Sequence, residues 1–152
     1  MSQSFEVRGG KRLKGDIYPQ GAKNEALQII SAVLLSPESI TVSNIPDIVD
    51  VNLLIELLAD MNVKIDRSKA DVCTFQADNV NIDYLVSDKY KKKSGRLRGS
   101  VMLAGPLLAR FKKAYIPKPG GDKIGRRRTV PRLRAPVRGR RIFLRHLRNS
   151  SS

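Results

Sequence analysis

The chain opens with two short runs of alternating apolar and polar positions and then changes period. Residues 4–8 alternate, Gly9-Gly10 offers a turn, and residues 13–18 alternate again, which predicts a strand hairpin. Pro19-Gln20-Gly21 breaks the pattern. From Ala22 the apolar residues Ala26, Leu27, Ile29, Ile30, Val33 and Leu34 recur at helical spacing, and Pro37 stops the helix. A strand follows over 40–43 and a turn at Asn44-Ile45-Pro46. Asp47 or Asp50 can cap the next helix, in which Val51, Leu54, Ile55, Leu58 and Met61 share a face. Asn62 suits a left-handed position at its end.

Further on, residues 63–66 and 72–76 read as strands around a turn at 68–71, with Cys73 and Phe75 on one face. Residues 82–86 read as one more strand, and the basic run 89–93 as exposed chain. A third helix is expected from Ser94 or Leu97 to Phe111, burying Val101, Leu103, Leu107 and Leu108, with a kink at Pro106. Tyr115 and Ile116 form a short strand into a glycine loop. The order β-β-α-β-α-β-β-β-α-β is that of an α/β or mixed α+β domain, not a helical bundle.

Charge changes this picture at the C-terminal end. The net charge is +15 over 152 residues, with 41% hydrophobic and 28% charged residues. Residues 1–127 hold 21 Lys and Arg against 14 Asp and Glu, whereas 128–152 hold 8 Arg and no acid, so over half the excess lies in the last 25 residues. Residues 129–152 read as a basic disordered tail. Cys73 is the sole cysteine, which excludes an internal disulfide and fits a reducing cytoplasm. No signal peptide is apparent, and the longest apolar stretch, 26–35, is too short to span a bilayer. The single His146 leaves no metal-ligand spacing, and no Walker pattern occurs, so neither a metal nor a cofactor is expected.

Three places carry candidate chemistry. In KPGGDKIGRRR, residues 118–128, Asp122 is the only carboxylate after Asp88 and stands among Lys113, Lys118, Lys123, Arg126, Arg127 and Arg128. A lone acid on a glycine loop among cations suits proton transfer to an anionic substrate; a solvated basic turn is the plainer reading. Lys23 and Asn24 fall in the first turn of a helix, an end that attracts anions and disfavours lysine, so Lys23 is either a binding residue or a tolerated surface residue. Arg98 stands early in the third helix, where it either grips an anion or is merely solvated. Arg127 has the same ambiguity, and chemistry does not rank it against Arg126 and Arg128.

Gly21-Ala22-Lys23-Asn24, then Arg98-Gly99-Ser100 with Gly105-Pro106-Leu107-Leu108-Ala109-Arg110-Phe111, then Pro119-Gly120-Gly121-Asp122-Lys123-Ile124-Gly125 ending at Arg127, occur in order. Together, from about Phe5 to Arg128, they resemble the N-terminal part of the UDP-N-acetylglucosamine 1-carboxyvinyltransferases, the enolpyruvyl transferases of early peptidoglycan synthesis. The resemblance implies an incomplete piece of a two-lobed, inside-out α/β barrel. Residues 1–21 would be strands packed with the second lobe, 22–128 a partial lobe with a lid loop at 117–126, and 129–152 a tail translated out of frame. It implies transfer of the enolpyruvyl group of phosphoenolpyruvate to the 3-hydroxyl of UDP-N-acetylglucosamine in the cytoplasm. Lys23, Asn24, Arg98 and Arg127 would bind the substrates, and Asp122 would protonate the methylene carbon or assist product release. A truncated chain is expected to be inactive alone. The related transferase of shikimate 3-phosphate is the nearer alternative. A non-catalytic basic fragment with incidental nucleic-acid binding is the more distant one, lacking any recognition motif.

Most of that family has cysteine at the position of Asp122. A free aspartic acid titrates near ~3.9, so desolvation on loop closure would have to raise it for proton donation near neutrality, against the surrounding cations. A carboxylate is also a weaker nucleophile than a thiolate. The chain is therefore expected to resist fosfomycin, the epoxide that alkylates the family cysteine. Mass spectrometry of the treated chain checks this, and a covalent adduct at Asp122 refutes it.

Overall fold

The computed structural model of the chain describes residues 5–10, 12 and 14–116. Its centre is a helical layer on one face of a small antiparallel sheet. The order is α1 (Lys23–Ala32), a 3-10 turn (Val33–Leu35), β1 (Ser39–Val42), α2 (Val49–Asp60), β2 (Lys64–Lys69) and β3 (Val72–Gln76). A second 3-10 turn (Ile82–Val86), α3 (Asp88–Arg96), a third 3-10 stretch (Arg98–Leu103) and α4 (Ala104–Phe111) complete it.

Strand order is β1-β3-β2, with both pairings antiparallel. Phe75 stands opposite Ile40 on one side and Ile65 on the other, and Cys73 stands opposite Val42. These side chains occupy one face, because the strand period is two, and they join the core. The opposite face is polar: the Thr41 and Thr74 hydroxyls share a hydrogen bond of 2.9 Å. Against the apolar face lie Leu27, Ile30 and Leu34 from the first helical segment and Val51, Leu54, Leu58 and Met61 from the second. Tyr90, Leu97, Leu103 and Leu107 close the core from the C-terminal helices. The helical and strand periods at 26–34, 51–61 and 72–76 thus lead to burial as expected, except that Ile29 is exposed. Asn62 takes the left-handed conformation, with φ 68°.

Several expectations need correction. Among the described residues of 5–20 no strand forms. Phe5, Val7, Ile17 and Tyr18 are exposed, since an isolated hairpin without a packed face is at best marginal in water. Ile82–Val86 is a 3-10 turn because the Asn81 side chain accepts from the backbone N–H groups of Asp83 and Tyr84 and so starts a helical turn. Neither Asp47 nor Asp50 caps α2; Ile48 precedes it without a side-chain cap bond.

The basic run 89–93 is helical, started by the Ser87 hydroxyl accepting from the Tyr90 N–H, and Tyr90 is fully buried. The expected third helix is therefore three pieces, since Leu97 is extended, with φ −107° and ψ 110°. Pro106 lies in the first turn of α4, where its missing N–H has no intrahelical partner to lose, so it does not kink a continuous helix. Val101 and Leu108 are half-buried rather than buried. Lys112 ends α4 in a left-handed conformation, and residues 115–116 are not a strand.

Two polar anchors hold the pieces together. Arg110 donates to the carbonyls of Leu34 at 3.0 Å and Ala77 at 2.8 Å, tying α4 to the turn after α1 and to the end of β3. Asp60, at the end of α2, accepts from Tyr84 Oη at 2.8 Å, Lys89 Nζ at 3.2 Å and Lys93 Nζ at 2.6 Å. Burial pushes the Asp60 carboxyl up, but the bonds from Lys93, Tyr84 and Lys89 outweigh it and hold the group below its ordinary value. A depressed carboxyl stabilises the fold above its unfolded value and loses that contribution as pH falls through the folded one. Asp60→Asn is therefore expected to lower stability at pH 7 and to flatten the loss of stability below about pH 4, as read by urea unfolding across pH.

Candidate functional site

The candidate site is built where α1 and α2 begin. Residues 21 and 44 touch through their backbones: a Cβ added to Gly21 would stand 2.0 Å from the Asn44 carbonyl oxygen. Only glycine allows that approach. Asn44 itself is left-handed, with φ 58°, and the next N–H, of Ile45, donates to the Asp71 carbonyl at 2.9 Å. The connection into α2 is thereby fixed to the β2–β3 turn, and the start of α1 is fixed to that connection.

Ala22 precedes α1 in an extended conformation and offers no side-chain cap. The first N–H groups of α1 therefore lack intrahelical partners, and the positive end of the helix dipole lies there. Lys23 and Asn24 are exposed in that turn. Lys23 Nζ is 3.0 Å from Asp50 Oδ2 in the first turn of α2, with the side chains 44% and 37% exposed. So exposed a pair contributes at most about 1 kcal/mol to folding.

Arg98 reaches the same region through its neighbour. A Cβ on Gly99 would stand 2.9 Å from Leu27 Cδ1, so the 3-10 stretch that Arg98 opens packs against α1 at Leu27. Leu27 lies one helical turn beyond Lys23, on the same face. Lys23 and Asn24 thus stand exposed in the first turn of α1, and half-buried Arg98 opens the stretch that packs one turn further along that helix. Asp122 and Arg127, and the lid loop 117–126 with them, lie outside the described residues, as do His146 and the tail 129–152.

Of two surface hollows, one lies away from this place and one lies against it. A polar hollow of about 440 Å³, lined by Ala59, Asp60, Asn62, Asn79 and Asn81, sits at the far end of α2. A smaller one of about 100 Å³ runs beside α1 between Gly21, Ile29 and Asn44. The basic run is largely committed: Lys89 and Lys93 bind Asp60, and Lys91 binds Asp88. Cys73 is buried, and burial pushes its thiol up, which makes it a packing residue rather than a nucleophile. Among the described residues no three His, Cys, Asp or Glu side chains group to hold a metal ion.

Sequence reasoning missed two parts of this arrangement. The role of Gly21 and Gly99 as close-contact residues is invisible without knowing what they face. Asp50, one of two acids expected as a helix cap, is instead the partner of Lys23; a lysine at a positive helix end is the signal that such a partner is needed.

The described residues form an α+β layer in which Gly21 and Gly99 fit the starts of α1 and of the third 3-10 stretch closely against their neighbours. The fold is similar to that of the enolpyruvyl transferase NikO from Streptomyces tendae, with a TM-score of 0.54 and 24% identity, covering 67% of this chain and 23% of that one. The chain belongs to the EPSP synthase (3-phosphoshikimate 1-carboxyvinyltransferase) family, whose family model matches residues 7–136. A protein of Porphyromonas gingivalis named UDP-N-acetylglucosamine 1-carboxyvinyltransferase is 62% identical over 125 residues, 82% of this chain and 29% of the relative. The protein of that name from Bacteroides thetaiotaomicron is 61% identical over the same coverage, and that from Bradyrhizobium diazoefficiens 40% identical over 124 residues. The chain spans about 29% of the length of the first two of these relatives.

The contact at Gly21 makes a clean prediction. Gly21→Ala forces the α1 start away from Asn44 and is expected to cost about 1–3 kcal/mol. Gly95→Ala in α3 meets nothing within 4 Å and is expected to be neutral or stabilising by a few tenths of a kcal/mol to about 1. Urea midpoints of the two variants check the contrast.

Proposed function

We propose that the protein of which residues 5–128 form part transfers the enolpyruvyl group of phosphoenolpyruvate to the 3-hydroxyl of UDP-N-acetylglucosamine and releases phosphate. The observation that carries this reading is the 61–62% identity over 125 residues to proteins named for that transfer. The place of Lys23 and Asn24 in the uncapped first turn of α1 supports it, because both substrates are anions and such a helix end favours them.

In this reading Lys23 and Asn24 meet phosphoenolpyruvate and the sugar nucleotide, Arg98 grips anionic oxygens, and Arg127 does so at the base of the lid loop. Asp122 gives its proton to the methylene carbon of phosphoenolpyruvate, which makes the neighbouring carbon electrophilic. The sugar hydroxyl adds there and loses its own proton to a base. Loss of phosphate with a proton from the new methyl group then restores the double bond. In this reading residues 22–128 belong to part of one lobe and residues 1–21 to strands packed with the second lobe. The reaction belongs to the cytoplasmic stage of peptidoglycan synthesis, and through it to cell shape and division. Among the described residues no helix is long and apolar enough to cross a membrane.

The test is titration of the 152-residue chain with phosphoenolpyruvate, followed by nuclear magnetic resonance. Shifts at Lys23, Asn24 and Arg98 are expected, with affinity reduced at least about tenfold by Lys23→Ala. The chain alone is expected to release no phosphate. Shifts confined to the basic residues 89–96, and insensitive to Lys23→Ala, would overturn the reading.

A further inference from the structure

We propose that Asp50 is the positioning residue for Lys23, holding its ammonium where an anionic substrate group meets it. The inference deepens the reading above and rests on it. A lysine in the first turn of α1 is repelled by the positive end of its own helix, so an unheld Lys23 would swing toward solvent. Asp50 lies in the first turn of α2, where the dipole of that helix favours a carboxylate. The Gly21–Asn44 contact brings these two turns together, and the 3.0 Å pair spans them.

Asp47 does not compete for this role. It accepts from Asn52 Nδ2 at 2.7 Å, and Asn52 Oδ1 accepts from Arg67 at 3.2 Å, which commits Asp47 to the α2–β2 side. Asp50 is left turned toward Lys23. An ammonium has three donors, so one bond to Asp50 leaves two for an arriving phosphate or carboxylate. Both side chains are open to solvent, which keeps the pair reachable and makes its loss a small matter for folding. What Asp50 supplies is direction: it fixes the flexible four-carbon stem of Lys23 before substrate arrives.

The experiment compares the full 152-residue chain with Asp50→Asn and Asp50→Glu. Side-chain ¹³C relaxation reads the mobility of the Lys23 ε-methylene, calorimetry reads affinity for phosphoenolpyruvate, and urea unfolding reads stability. Restricted motion is expected in the parent chain and in Asp50→Glu, and free motion in Asp50→Asn. Affinity in Asp50→Asn is expected to fall about three- to tenfold and to recover largely in Asp50→Glu, with little change in the unfolding midpoint. A merely structural Asp50 would move the midpoint and leave Lys23 alike in all three. Equal Lys23 mobility in the three chains overturns the proposal, and so does equal or tighter binding by Asp50→Asn. If the parent chain takes up no phosphoenolpyruvate, the functional reading above fails, and the mobility comparison alone decides whether Asp50 holds Lys23.

Discussion

The close approach of Gly21 to the Asn44 carbonyl is the constraint on which the candidate site rests. It is a steric matter, with no attraction of its own. A methyl group would stand within bonding range of a backbone oxygen, so only hydrogen on that carbon lets the two segments meet. Once they meet, the start of α1 is set beside the start of α2, and the latter is set by the Ile45 bond to the β2–β3 turn. The pairing of Lys23 with Asp50 follows from this arrangement and could not create it, since so exposed an ion pair is too weak to order two helices.

The same division between packing and polar contacts runs through the molecule. Leu27, Ile30, Leu54, Leu58, Phe75 and Leu107 exclude water, and burial of this kind supplies most of the stability. Arg110 and Asp60 do something different. Each binds several partners from separate elements, so each specifies how elements sit against one another. Asp60 also explains why the lysine-rich α3 lies on the domain at all: two of its cations close onto one carboxylate, and buried Tyr90 anchors the helix between them. The Tyr84 hydroxyl that shares Asp60 is pushed up to about 12 by its burial and then by the carboxylate, so it remains a donor throughout the physiological range.

How much of this could be read from residue order differs by element. Where a single period runs long enough, as in 51–61 and at Cys73 and Phe75, the pattern and the burial agree, because amphipathic periodicity is burial seen in one dimension. Where capping decides, pattern fails. Asn81 starts a helical turn with two side-chain bonds and Ser87 with one, and these bonds turn an expected strand and an expected coil into helix. Residues 5–20 show the converse: alternation there is genuine, yet a strand exists only with a partner. Lys23 stands out in the sequence because a cation at a positive helix end departs from local preference, and it does fall in the first turn of α1. Asp50 does not, since its partner is 27 residues away and carboxylates are ordinary in a first helical turn.

The exposed apolar side chains of the N-terminal segment set the fate of the chain as a molecule in a crowded cell. Phe5, Val7, Ile17 and Tyr18 are 97%, 90%, 92% and 87% exposed. Apolar side chains left open to water without a packed partner invite association with other chains.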